Sequence, residues 1–226
     1  MEVTYYGHSC FLVNAGDIKV LFDPFITPNA LASHIDVNTI EADYILLTHG
    51  HNDHVADVET IAKRTEATVV GNFEVVNWFA NKGITKTHGM NPGGKVHLDF
   101  GTVKMVSAVH SSSMPDGSYG GVATGFVIES AEKTFYFSGD TALTQDMKLI
   151  GDVYDIDVAF LCIGDTFTMD IEDAMVAAEF VSAKKVIGMH YDTFPVIEVD
   201  PVYAQHVAQK AGKQLVLMEI GQTIKL

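Results

Sequence analysis

The run Thr48-His49-Gly50-His51-Asn52-Asp53-His54 places three imidazoles and a carboxylate within six residues, directly after the apolar stretch Tyr44-Ile45-Leu46-Leu47. Neutral imidazole and carboxylate are donors suited to Zn²⁺ and similar divalent ions. One ion has no room for all four side chains and a substrate as well. A strand ending at Leu47 turns His49 and His51 to one side, while Asp53 and His54, at the start of the next helix, reach toward a second ion.

A site for two ions needs further ligands, and the ends of later strand-like segments supply them. His110 follows residues 103–109, Asp140 lies in Ser138-Gly139-Asp140-Thr141 after residues 134–137, and His190 follows residues 185–189. Loops at the ends of rigid strands are where folds carry functional groups.

The elements that must hold these residues read as two β-rich stretches, each leading into αβ alternation. The first has strands at 3–6, 10–13 and 18–22, a turn at 14–17, a loop-rich insertion at 25–41 and the strand 44–47. A helix over 55–64, a short strand at 69–70 and a helix over 73–81 follow by apolar spacing. The second has strands at 95–98, 103–109, 122–129 and 134–137. Helices at 145–150, 171–181 and 201–210 then alternate with strands at 158–162, 185–189 and 214–218, and a last strand spans 223–225. This pattern predicts an α/β (α+β) fold, a four-layer αβ/βα sandwich, with residues 1–226 forming a single domain.

The ordered set T-H-x-H-x-D-H, a lone His, S-G-D-T and a His near the C-terminus resembles the metallo-β-lactamase superfamily over essentially the whole chain. The resemblance implies the metallo-β-lactamase fold. It also implies that His49, His51 and His110 hold a first metal, that Asp53, His54 and His190 hold a second, and that Asp140 bridges both. The implied cofactors are two divalent ions, zinc favoured, with manganese, nickel or iron served by the same donors. Such a pair lowers the pKa of a bridging water from about 15.7 towards about 7, and Asp53 is placed to aim it.

His8, in Tyr6-Gly7-His8-Ser9-Cys10, interrupts a strand-like stretch, where a histidine is commonly a structural hydrogen-bonder. Its setting resembles the small bacterial metal-dependent hydrolase branch of the superfamily, akin to ascorbate-6-phosphate lactonase-like members, in which this histidine faces the metal cleft. The resemblance implies a catalytic His8, as substrate contact or proton donor. Asp23 is expected to shape the turn near the site and Asp165 to cap or solvate a loop. Residues 111–121 form either a lip over the cleft or no more than a loop.

The function expected is a metal-dependent hydrolase that uses a dinuclear-metal-activated water on a small ester, lactone or phosphodiester. The alternatives are a single-iron oxygenase or redox member of the same fold and a non-catalytic metal-binding module; the unbroken ligand set argues against both. Fourteen basic against 29 acidic residues give a net charge of −15, with Arg64 the only arginine. That surface repels polyanions, so a small-molecule substrate is expected rather than nucleic acid. No basic-then-apolar run precedes the first strand-like segment, no apolar run approaches the roughly 20 residues of a membrane helix, and Cys10 and Cys162, in apolar contexts, are expected to be buried free thiols. A cytoplasmic location with no membrane partner is expected; oligomeric state and substrate identity are not fixed by the sequence.

Overall fold

Strands form where β-branched and aromatic residues run in short bursts between turn residues. In the computed structural model, which describes residues 1–226, β1 (Glu2–Gly7), β2 (Cys10–Ala15) and β3 (Ile18–Phe22) form an antiparallel meander. Beyond β3 the pairing turns parallel through β4 (Tyr44–Leu46), β5 (Thr68–Asn72) and β6 (Thr87–Met90). The crossovers carry α1 (Asn52–Val55), α2 (Val58–Thr65) and α3 (Phe73–Asn81).

The second half repeats the plan. β7 (Lys95–Leu98), β8 (Gly101–Ser107), β9 (Thr124–Glu129) and β10 (Thr134–Phe137) are antiparallel. The parallel strands β11 (Val158–Cys162), β12 (Lys185–Met189) and β13 (Gln214–Val216) follow, reached through α4 (Asp146–Val153), α5 (Ile171–Phe180) and α6 (Pro201–Lys210). β14 (Thr223–Lys225) returns to pair with β1, completing two seven-stranded sheets in the orders β14-β1-β2-β3-β4-β5-β6 and β13-β12-β11-β10-β9-β8-β7.

Three apolar layers hold these parts together. Between the sheets, Phe11, Phe22, Phe126, Phe137 and Phe160 are fully buried, and Phe22 of one sheet stacks on Phe137 of the other with ring centroids 4.5 Å apart. On the outer face of the first sheet, Ile45 and Val69 pack under α2 and α3 through Val58, Ile61 and Phe79. On the outer face of the second, Ala159 and Leu161 pack under α4, α5 and α6 through Ile150, Ala174 and Ala204. This is the four-layer sandwich expected, built from two similar halves.

The differences from expectation are local and have causes. The helix expected over 55–64 is divided into α1 and α2, because Asp57 is drawn out of the helical ladder. Its Oδ2 accepts from the backbone N–H of Ile26 at 2.6 Å and of Thr27 at 2.9 Å, while its own N–H donates to the Pro24 carbonyl. β6 was not legible because its side chains, Thr87-His88-Gly89-Met90, lack apolar alternation; pairing with β5 and the burial of Met90 in the core order it. The strand expected at 103–109 ends at Ser107, since Val109 exchanges its ladder partner for the loop after β10. Val109 N–H donates to Thr141 Oγ1 and the Ala142 N–H donates to the Val109 carbonyl. That exchange sets His110 beside Asp140.

Because Phe137 joins the two sheets through its stack on Phe22, Phe137→Ala is expected to lower the unfolding free energy by about 3–5 kcal/mol in urea denaturation followed by far-ultraviolet circular dichroism. A loss under about 1 kcal/mol would contradict the placement of this layer.

Candidate metal centre

The site lies where the parallel strands of both sheets end, the edge at which open αβ sheets place ligands. Asp23 follows β3, Thr48 and His49 follow β4, Asp140 follows β10 and His190 follows β12. From the antiparallel side come His110, three residues past β8, and His8, in the two-residue turn between β1 and β2. His8, Asp23 and His190 have φ of 56°, 40° and 57°. Three non-glycine residues in the left-handed region at one site mark backbone held against its preference by surrounding contacts. Gly139 has φ 61°, and a Cβ there would meet the Thr124 carbonyl at 2.6 Å and the Thr48 side chain at 2.8 Å. Only glycine lets the S-G-D-T turn approach the Thr48 loop this closely.

Asp140 is 2% exposed, and its Oδ2 is the point on which the cluster converges. It lies 2.8 Å from His190 Nε2, 3.3 Å from His54 Nε2, 3.6 Å from His110 Nε2 and 3.9 Å from His49 Nε2. His51 Nδ1 is 3.0 Å from His49 Nε2, and Asp53 Oδ2 is 3.9 Å from His190 Nε2 and 4.0 Å from His54 Nε2. The structure therefore brings together all seven residues that the sequence offered as candidate ligands. Their donor atoms fall into three groups, each within 4.8 Å: His49, His51 and His110; His49, His54 and Asp140; and His8, Asp53, His54 and His190.

The groups behind the cluster fix which nitrogens are available. Asp23, fully buried, accepts from the Thr48 N–H at 2.8 Å, the Thr48 hydroxyl at 2.6 Å and His54 Nδ1 at 2.9 Å. The Thr48 hydroxyl spends its proton on Asp23, so its oxygen accepts from His49 Nδ1 at 3.0 Å. One carboxylate thus sets the tautomers of both imidazoles, leaving His49 Nε2 and His54 Nε2 toward Asp140. The Thr48 carbonyl in turn accepts from the Thr124 N–H and hydroxyl, tying the motif to the second sheet.

Electrostatics reflect the crowding. Burial pushes His49, His51 and His110 down from the ordinary imidazole range. Burial also pushes His54 down, but Asp140, Asp23 and Asp53 outweigh it and hold His54 well above its usual value. Burial would raise Asp140, yet His190 and His54 hold it well below the carboxylate range. The cluster is a place built to stabilise positive charge. His54 Nε2, Asp140 Oδ1 and His190 Nδ1 are buried without a hydrogen-bond partner, an arrangement costing about 1–3 kcal/mol per group. A divalent ion is a partner that satisfies a neutral imidazole nitrogen and a carboxylate oxygen at once, so the donor set fits a metal.

His8 is turned toward the cluster and is buried at 1% exposure. Its Nε2 is 3.1 Å from Asp53 Oδ2 and its Nδ1 is 2.9 Å from Thr193 Oγ1. Its ring rests on His190 at 4.1 Å between centroids, and burial lowers its pKa to about 4. The cleft above the cluster, about 700 Å³, is lined by Asp53, His51, His110, Asp140 and His190 but not by His8. Expected as a substrate contact or proton donor, His8 does not line the cleft and reaches it through Asp53.

Sequence reasoning placed Asp23 only as a turn-former and did not find Thr48, Thr124 or Thr193 as supports. A carboxylate one residue past a strand in the same half as a histidine motif is the signal that could have found Asp23; the threonines carry none. Asp165 does not line the cleft. Residues 111–121 form a packed arm with a Ser113–Tyr119 bridge and a buried Met114, and Ser111 Oγ approaches His51 Nε2 at 3.3 Å.

Residues 19–191 match the family described as Beta-lactamase superfamily domain. The chain is 50% identical over 226 residues to a UPF0173 metal-dependent hydrolase of Flavobacterium johnsoniae, covering 100% of both chains. It is 46% identical over 232 residues to a UPF0173 metal-dependent hydrolase of Bacillus subtilis, again with 100% of both covered. Igni18, a metallo hydrolase of the archaeon Ignicoccus hospitalis, matches it with a TM-score of 0.88 at 35% identity, over 99% of this chain and 97% of that one.

Asp23→Asn keeps the volume of the buried carboxyl but removes the acceptor that orients His54 and, through Thr48, His49. Zinc affinity measured by chelator competition is expected to fall about 10–100-fold with the far-ultraviolet circular dichroism unchanged. Unaltered affinity would show that Asp23 does not position these imidazoles.

Proposed function

We propose a two-metal mechanism, proceeding from the premise that this chain belongs to the beta-lactamase superfamily and is a metal-dependent hydrolase. As a single domain, it would act on a small ester, lactone or phosphodiester. His49, His51 and His110 would hold one divalent ion, Asp53, His54 and His190 the other, and Asp140 would bridge them. The observation that carries this reading is the position of Asp140 Oδ2, within 4 Å of four imidazole nitrogens drawn from both triads. Zinc is favoured by the donor set, which also serves manganese, nickel and iron.

When bound, such ions lower the pKa of a bound water and polarise a scissile carbonyl or phosphoryl group. The chain's own residues do the rest. Asp53 lines the cleft with its side chain 25% exposed, so it can accept a hydrogen bond from the attacking water. Burial would raise its pKa, but His54 and His8 hold it well below the carboxylate range, so it stays ionised and aims the water rather than keeping a proton. An ionised Asp53 only accepts, so His8 Nε2–H must donate to it, and the neutral ring then accepts the Thr193 hydroxyl at Nδ1. His8 is in this reading a positioning residue for Asp53, in place of the substrate contact or proton donor expected from the sequence. Small substrates reach the cluster through the open cleft. No helix is long and apolar enough to cross a membrane.

Elemental analysis of the purified protein after reconstitution is expected to give about two ions per chain, since the seven ligands exceed what one ion takes. A count that never exceeds one would end the two-metal reading. His8→Ala should lower turnover of a hydrolysed ester by about 10²-fold with both ions retained, whereas His49→Ala should lose metal and turnover together. Metal loss in His8→Ala would instead make His8 a ligand.

A further inference from the structure

One part of the cleft lining is apolar and offers no metal-binding side chain. Phe25, Pro28, Phe167, Phe194 and Val196 line it, and the lining contains neither lysine nor arginine. Phe25 is buried and lies 6.5 Å from Phe194 between centroids. Phe167 and Val196 are 53% and 57% exposed at the mouth. Apolar side chains left open beside a polar cluster are the usual mark of a binding surface.

Two loops hold that mouth in place. Asp165 and Thr166, after β11, have φ of 60° and 53°. Left-handed backbone at a β-branched residue is a genuine outlier and persists only where contacts impose it. Here the Asp165 N–H donates to the Met169 carbonyl, the Phe167 N–H donates to the Asp165 carbonyl at 2.5 Å, and the Thr166 hydroxyl donates to the Val196 carbonyl at 2.9 Å. The last bond latches the loop after β11 to the loop after β12, so that Phe167 and Val196 present one surface.

Charge points the same way. The cleft carries Asp53 and Asp140, and the chain's sole arginine, Arg64 on α2, is engaged by Glu41 and the Ile40 carbonyl. Beyond the charge that the two ions would bring, no cationic side chain lines the cleft to receive the remaining oxygens of a phosphodiester, on a chain of net charge −15.

We propose that the Phe25–Phe194–Phe167–Val196 wall binds the apolar arm of an uncharged carboxylic ester or lactone, which is the substrate class of this site. The inference rests on the hydrolase reading above. In the reaction, water oxygen bonds to the carbonyl carbon and the bond from that carbon to the leaving oxygen breaks. The leaving oxygen takes a proton, giving acid and alcohol.

The test uses the metal-containing full chain with p-nitrophenyl acetate, butyrate and hexanoate and with bis(p-nitrophenyl) phosphate. In parallel, calorimetry compares acetohydroxamate with octanohydroxamate, which share a chelating head and differ in the tail. From acetate to hexanoate kcat/KM is expected to rise about tenfold or more, the octanohydroxamate Kd to be about tenfold lower, and the phosphodiester to be about a hundredfold poorer than the hexanoate. Phe167→Ser should bring both ratios to within about twofold, and Thr166→Val, which removes the latch with little change of shape, should reduce them in part. Flat chain-length dependence, equal hydroxamate affinities, no hydroxamate binding, or a preferred phosphodiester would overturn the proposal. Failure of the hydrolase reading would look different: no ester or diester turned over, while octanohydroxamate still binds more tightly than acetohydroxamate.

Discussion

A carboxylate with 2% exposure, surrounded by imidazoles and reached by no lysine or arginine, is the constraint on which this structure turns. Asp140 cannot stay ionised there unless positive charge is brought to it. Four imidazoles from three segments of the chain, the motif after β4 and the loops after β8 and β12, provide the approach, and they can do so only if both sheets end at the same place. The aromatic layer between the sheets fixes that coincidence, with Phe22, one residue before Asp23, stacked on Phe137, three residues before Asp140. Core and site are in this sense one arrangement.

Around the carboxylate, the chain spends its unusual backbone. His8, Asp23 and His190 take left-handed conformations, and the His190 N–H donates to the His8 carbonyl at 2.8 Å, so two strained turns from different sheets brace each other. Asp23 and Thr48 then set imidazole tautomers from behind. The site's precision comes from supports such as Asp23, Thr48 and His8, whose side chains do not line the cleft.

Much of this was legible in the chain and some of it was not. The motif from His49 to His54 and the single residues His110, Asp140 and His190 each follow an apolar strand run, and strand ends are readable from local pattern. The boundaries of β7, β10, β11, β12, α3 and α6 agree with the pattern for the same reason. What could not be read depends on partners distant in sequence. β6 exists because β5 offers it a ladder, α1 and α2 part because Asp57 binds the loop of Ile26 and Thr27, and β8 stops early because Thr141 claims Val109. The same holds for His8, whose distance from the cleft is set by Asp53 and Thr193, residues 45 and 185 positions away. The apolar cleft wall, assembled from loops near Phe25, Phe167 and Phe194, has no local signature either.

Anomalous diffraction at the zinc edge from crystals grown with zinc is the most direct measurement of the central claim. The account predicts two peaks flanking Asp140, one among His49, His51 and His110 and one among Asp53, His54 and His190. A single peak, or none within reach of Asp140, would contradict it.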